Sequence, residues 1–462
     1  MGFRDLVLFY IVTGISLRWI ATAATAGASA VVIWLIAWFA FYLPFVLAVM
    51  ELSSRYPQEG GLYVWNKRAF GDFAGFMNGW IYWTSNLPYF PAVLYFAASS
   101  ALYFGPANWH RLANNKTYFI VFSLGGIILA TLLNVVGLSI GKWLHNAGAI
   151  GTWLPVGILY GVAIVCWWRF GSATSFHGAN LVPHAHFRDV LFWASIVYAL
   201  SGAESASFLG DEVENARRNI PRALLLAGTI VTTGYILGTV AMLVALPARE
   251  ISGLEGIMQA ISTAGERIGV NSLGPIAAVL IVVSNIGALG AWLAAAARLP
   301  FVAGIDRYLP AAFGKVHPRW QTPCIAILTQ SVVAALVIFL GQAGTSIYGA
   351  YEVLVSMGIV SCFIPYLMTF AALIRLQKEP AGRDVMRIPG GRKAAFFVGA
   401  LGATTTLVTI MLSLAPSSDE PHPFLAAAKV IGLTLVLIAA GVGAYYLGRK
   451  RHLLAMEVGS RG

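Results

Sequence analysis

Charge is what this chain has least of. Asp, Glu, Lys and Arg make up 11% of its 462 residues, where soluble globular domains carry roughly a quarter. Hydrophobic residues make up 58% and the mean hydropathy is +0.75. A water-soluble fold would have to hide more apolar surface than a domain of this size can bury, so the chain reads as an integral membrane protein. Cysteine is sparse too. Cys166, Cys324 and Cys362 all lie in apolar runs and read as reduced, buried small hydrophobes, which excludes a disulfide framework. No Gly-rich phosphate loop of the Walker type occurs, so ATP-driven transport has no support. No Ser/His/Asp arrangement suggests a hydrolase, and no cofactor is implied.

What the chain does have is apolar runs of about 20 residues along its whole length, which fits helical spans rather than a barrel. Twelve transmembrane helices are predicted, starting near residues 5, 28, 73, 117, 142, 189, 223, 272, 322, 346, 394 and 424. The stretch "RDLVLFYIVTG" runs on into Arg18 without a small-residue cleavage site, so it reads as the first span and not as a cleavable signal. An even number of spans puts both termini on one side. Of the 30 Lys and Arg, 22 fall at the termini and in the loops on that side, seven on the opposite side, and Arg18 within a span. This bias predicts cytoplasmic termini for a multi-pass protein of the cell membrane. The net charge of +11 is therefore topology. The expected partners are membrane lipid and a small-molecule substrate, not nucleic acid.

Two spans are interrupted. The first carries Thr13, Gly14 and Ser16 in its middle, and the sixth carries Ser201, Gly202 and Glu204. Helices 1–5 (residues 1–170) and helices 6–10 (residues 188–376) form two five-span halves. An odd number of spans in each makes their orientations opposite, with helices 11–12 (residues 394–450) as an appendage. Paired Gly-interrupted spans at matching places in two inverted halves point to a transporter's central site. Where a helix unwinds, its freed N–H groups suit a carboxylate and its freed carbonyls an ammonium. An α-amino acid matches both. Glu204 is a mid-membrane carboxylate and hence functional by default. It is expected to be protonated, to bind a cationic substrate, or to brace the two breaks.

Three stretches then show a resemblance: "GAESASFLGDEVENARRNIPRA", "ELSSRYPQEGGLYVWNKRAFG" and "ARLPFVAGIDRYLPAAFGKVHPRWQTP". They resemble, in order, the sixth-span signature and the loops after spans 2 and 8 of the amino acid–polyamine–organocation permeases. The resemblance implies an all-α, LeuT-type fold with a 5+5 inverted repeat and a secondary amino acid or polyamine transporter. It implies a gating or protonation role for Glu204 beside Gly202. It implies substrate contacts for Asn86, Tyr198 and Trp292, and a carboxylate-binding break at Gly14, Ile15 and Ser16. The chain departs from the family's G-S-G there, reading "TGIS".

The resulting expectation is an amino acid transporter that works by alternating access, with a polyamine or organic-cation transporter as the alternative. A channel would need symmetric filter rings, which are missing. Sodium coupling is not expected. The stretch after Trp292, "LAAAAR", offers no side-chain oxygen, and Gly151 stands where some proton-linked relatives place a Lys. Arg18 and Glu352 are expected to pair as an outer gate, because each lies roughly 9–10 Å below the outer end of its span at 1.5 Å per residue. His177, His184 and His186 read as solvated loop histidines rather than metal ligands. The mixed charges of "DEVENARRN", and Asp306 with Arg307, read as solvated cytoplasmic loops.

Overall fold

The computed structural model describes residues 2–58, 60–136, 138–183, 187–205, 207, 213–297, 308–320, 322–380, 382, 385–415 and 423–459. His184, His186, Asp306, Arg307 and the acidic Asp211–Glu212 pair lie outside the described residues. Among the described residues the regular structure is helical and contains no strand. Nine helices among them are long and apolar enough to cross a membrane.

The chain opens with α1 (Phe3–Gly14) and α2 (Leu17–Ala24), which are separated by an extended Ile15–Ser16 link. Ile15 has φ −90° and ψ 120°, and Ser16 has φ −124° and ψ 121°. Next come α3 (Ala30–Ala37) and α4 (Leu43–Arg55), joined by a wide π-type turn at Trp38–Tyr42. Such turns insert one residue into an α-helix. On either side of it, Trp34 Nε1 donates to Thr239 Oγ1 at 3.1 Å and the Tyr42 hydroxyl donates to Leu224 O at 3.0 Å.

The short α5 (Leu62–Phe70) leads into α6 (Asp72–Ala101). With 30 residues α6 is about 45 Å long. It carries Asn78, Thr84, Ser85 and Asn86 and is buried along almost its whole length, so its polar side chains face protein. Then follow α7 (Lys116–Val136), α8 (Leu138–Phe170), the single turn α9 (Gly178–Leu181) and α10 (Phe187–Ala199). The rest of the chain forms α11 (Ala216–Ala245), α12 (Gly256–Arg267), α13 (Leu273–Ala296), α14 (Cys324–Gln342), α15 (Ile347–Leu376), α16 (Gly391–Ser413) and α17 (Pro423–Gly459).

Packing places the breaks at the centre. α6 lies along α15, α1 along α11, and α8 along α13. Outer faces of α7, α8, α14, α16 and α17 expose Ile128, Trp168, Val332, Phe397 and Val436. Apolar faces of this kind suit lipid.

A polar clasp holds one end of the bundle. Glu51 is buried, and its Oε1 accepts from Arg55 Nε (2.9 Å), Arg55 Nη2 (2.6 Å) and Gln377 Nε2 (2.7 Å). Its Oε2 accepts from the Ile388 amide at 3.0 Å. Arg55 in turn donates to the carbonyls of Leu376 and Glu379, at the end of α15. The Tyr56 hydroxyl donates to Glu379 Oε2 at 2.6 Å, and Arg68 lies against the same carboxylate. Burial, then the neighbouring carboxylate, pushes the Tyr56 hydroxyl up to about 12. The hydrogen bond from Tyr56, helped by Arg68 and Arg55, holds the Glu379 carboxyl below its ordinary value.

Candidate functional site

The second break is a matter of backbone torsion. After α10 the chain leaves the helix at Leu200, and Gly202 has φ +99°. A Cβ there would meet nothing within 4 Å, so the left-handed torsion and not crowding calls for glycine. Gly14 differs. A Cβ at Gly14 would sit 3.2 Å from Val231 Cγ2, so its task is close packing on α11, while Ile15 and Ser16 carry the extended link.

The two breaks meet at one pocket, which encloses about 540 Å³ of space open in part to solvent. Gly14, Ser16, Asn86, Tyr198, Gly202, Glu204 and Trp292 line it, and so does Arg18. Of the predicted substrate contacts only Ile15 stays outside. It is buried, with Cδ1 packed toward Gly234 of α11. Glu352 faces a second cavity of about 820 Å³ among α2, α10, α15, α16 and α17, and Trp19 belongs to both walls.

Glu204 is fully buried. Its Oε1 accepts from the hydroxyls of Tyr82 and, at 2.8 Å, Tyr366. Its Oε2 is buried without a hydrogen-bond partner among the described residues. The Tyr366 hydroxyl also accepts from the Gly202 amide at 3.3 Å, so one tyrosine ties the carboxylate to the break beside it. Asn86 turns back on its own helix, with Nδ2 donating to Tyr82 O at 3.0 Å. That leaves its carbonyl as the end with acceptor capacity to spare.

Aromatic rings close the remaining sides. Tyr198 meets Trp19 edge to face with ring centroids 5.4 Å apart, and Trp292 meets Tyr89 at 6.0 Å. The Arg18 guanidinium lies 4.2 Å from the Trp19 ring centroid and 4.9 Å from that of Tyr89. Such contacts stabilise a desolvated cation by about 1–2 kcal/mol.

The sequence reading missed Tyr82, Tyr89, Trp19, Cys362 and Tyr366, all of which line the pocket. Tyr82 had a signal, since it lies one helical turn before Asn86 on the same face. Tyr366 had none, as one tyrosine among 18 in a helix buried on most sides. His177 is exposed and bonds Ser175 next to it. Thr152 and Ser284 share a hydrogen bond of 2.5 Å between α8 and α13, and a Cβ at Gly151 would lie 2.6 Å from Leu280 O.

Residues 2–440 match a family described as amino acid permease. An uncharacterized transporter of Legionella pneumophila is 27% identical over 422 residues, covering 90% of each chain. The serine/threonine exchanger SteT of Bacillus subtilis is 27% identical over 88% of this chain and 85% of its own. The probable agmatine/putrescine antiporter AguD of Lactococcus lactis is 23% identical, with 86% and 84% covered. These relatives are transporters and not enzymes, and with a match over nearly its whole length this chain belongs to the amino acid permease family of membrane transporters, within the amino acid–polyamine–organocation group.

Proposed function

We propose that this chain exchanges or accumulates amino acids across the cell membrane by alternating access. Its twelve spans form a LeuT-type 5+5 inverted repeat with two added helices and cytoplasmic termini. The observation that carries this reading is the meeting of the Ile15–Ser16 break and the unwound end of α10 at one pocket, with Glu204 fully buried between Tyr82 and Tyr366. Unwound segments supply backbone groups that a continuous helix keeps for itself, and a protein-lined site at mid-membrane is where a carrier binds its cargo. Serine and threonine, the cargo in the name of one relative, are the first substrates to test.

Coupling to sodium is not part of this reading. The Ser284 hydroxyl is already paired with Thr152, and alanines follow Trp292 and Leu293. Gly151 stands too close to α13 for a fixed cationic side chain. Exchange or facilitated diffusion follows.

A second reading, a polyamine or organic-cation carrier, is favoured by the rings of Trp19, Tyr89, Tyr198 and Trp292 around a carboxylate, a combination that suits ammonium groups. Another relative carries agmatine and putrescine in its name.

Counter-flow in proteoliposomes tests the carrier. Labelled serine should accumulate transiently against internal unlabelled serine, with choline replacing sodium at no loss of rate. A flux without counter-flow for any amino acid or amine would make the chain a channel. A steep, saturable sodium requirement would overturn the uncoupled mechanism.

A further inference from the structure

The first break has few amide donors left for a carboxylate. The Tyr235 hydroxyl donates to Gly14 O at 2.6 Å and accepts from Ser16 N at 3.0 Å. The amides of Ile15 and Trp19 are bonded to Ile11 O and Ser16 O. A tyrosine from α11 has taken the Ser16 amide and the Gly14 carbonyl, which leaves the first two amides of α2, those of Leu17 and Arg18, as the backbone donors at the break.

Beside it stands a cation in three kinds of difficulty. Arg18 is 1% exposed, and its Nε and Nη1 are buried with no hydrogen-bond partner among the described residues. It is the second residue of α2, where the positive end of the helix dipole disfavours a cation. Its neighbours Trp19 and Tyr89 offer ring faces, which stabilise charge but accept no N–H, and the Tyr351 hydroxyl beside it is a single neutral acceptor for a group with five donors. An anion in the pocket would relieve all three at once, and a planar guanidinium matches a carboxylate with two parallel hydrogen bonds.

We propose that Arg18 is the carboxylate receptor of the pocket, and that the cargo is an α-amino acid rather than a polyamine. The proposal rests on the carrier reading above and narrows it. Arg18 and Glu204 line the same pocket as a guanidinium and a carboxyl, and the buried Oε2 of Glu204 is the acceptor for the ammonium end. A zwitterion satisfies both poles. A diamine satisfies Glu204 alone and brings a second cation into a cavity that already holds one. Pairing of Arg18 with Glu352 as an outer gate is the competing assignment, and the test separates the two.

Purified full-length protein is screened by ligand-induced thermal stabilisation and by inhibition of counter-flow. The probes are the twenty standard L-amino acids, the carboxamides of those that bind, putrescine and agmatine. For wild type, each binding amino acid should beat its carboxamide by about 10- to 100-fold, the loss expected for hydrogen bonds to a charged group, and both amines should bind no better than the carboxamides. In Arg18→Gln this preference should collapse to within about threefold, with Arg18→Lys between the two. Carboxamides or amines that bind wild type as well as the amino acids overturn the receptor while leaving the carrier standing. So does a preference that survives in folded Arg18→Gln. Restoration of exchange by Arg18→Glu combined with Glu352→Arg assigns Arg18 to the gate instead. A wild-type protein that responds to none of the probes overturns the carrier reading and this assignment together. The wild-type comparison needs no variant to fold.

Discussion

Glu51 and Glu204 are the same residue type at the same burial, and they are treated in opposite ways. Glu51 receives three side-chain N–H bonds and one backbone N–H, and Arg55 neutralises it at 2.6 Å. Glu204 receives two tyrosine hydroxyls on one oxygen, and among the described residues its other oxygen has no hydrogen-bond partner and no cation pairs with it. A buried carboxylate with all its needs met is a structural rivet, since breaking it strands a charge. A buried carboxylate with half its needs met keeps capacity for something that comes and goes. The difference distinguishes a residue that holds the bundle from one that serves a ligand or proton, and burial alone does not reveal it.

Breaking the rivet should have the largest effect. Glu51→Ala leaves Arg55 buried without its partner, a loss of about 3–5 kcal/mol. Most of the protein should fail to reach the membrane or should lose its monodisperse peak after mild heating, as read by size-exclusion chromatography. Glu204→Gln should do the reverse. The amide keeps the shape and loses the ionisable proton, so thermal stability should stay within about 1 kcal/mol of wild type. Exchange should fall at least tenfold or lose its pH dependence. Wild-type exchange by Glu204→Gln at every pH would turn Glu204 into a second rivet and erase the contrast.

Smaller changes sharpen it. Tyr366→Phe and Tyr82→Phe each remove one hydroxyl from Oε1, a hydrogen bond worth about 0.5–1.5 kcal/mol. Each should slow exchange more than it lowers the thermal midpoint. Tyr366→Phe should be the worse, because that hydroxyl also takes the Gly202 amide. The least effect belongs to the rim of the clasp. Glu379 is held below the ordinary carboxyl range by Tyr56 and Arg68, so its contribution is full above the unfolded value. It is lost as pH falls through the lowered folded value. Tyr56, pushed up to about 12, keeps its donor proton across that window. Glu379→Gln should flatten the acid-side decline in thermal midpoint by a small, salt-sensitive amount, measured between neutral pH and pH ~3.

Long apolar helices were legible in the sequence, and direction around a helix was not. Apolar runs marked helices of which nine, among the described residues, are long enough to cross a hydrocarbon core. Gly202 beside Glu204 marked the second break, because no other pattern explains a flexible residue and a charge in one run. Gly14 marked the first break correctly for a partly different reason, since Ile15 and Ser16 take up the extended link while Gly14 makes room for Val231. Counting residues put Arg18 and Glu352 at similar heights, and each lines a cavity of its own, the two cavities sharing Trp19 as a wall. Height fixes one coordinate, and the azimuth is set by packing that a single sequence does not display. The clasp was hidden for a similar reason. "ELSSRY" reads as a polar loop, and only contact with the stretch 376–388 turns Glu51 into a core residue.

The wide turn at Trp38–Tyr42 has a bearing on what this helix can reach. The turn holds one residue more than a regular α-helical turn would. Winding the same residues as ordinary α-helix would rotate everything before the turn by about 100° relative to everything after it. Trp34 would then turn away from Thr239 while Tyr42 still reached Leu224. The wide turn is thus a phase shifter: it lets one helical segment address two points on α11 that the same residues wound regularly would not reach together.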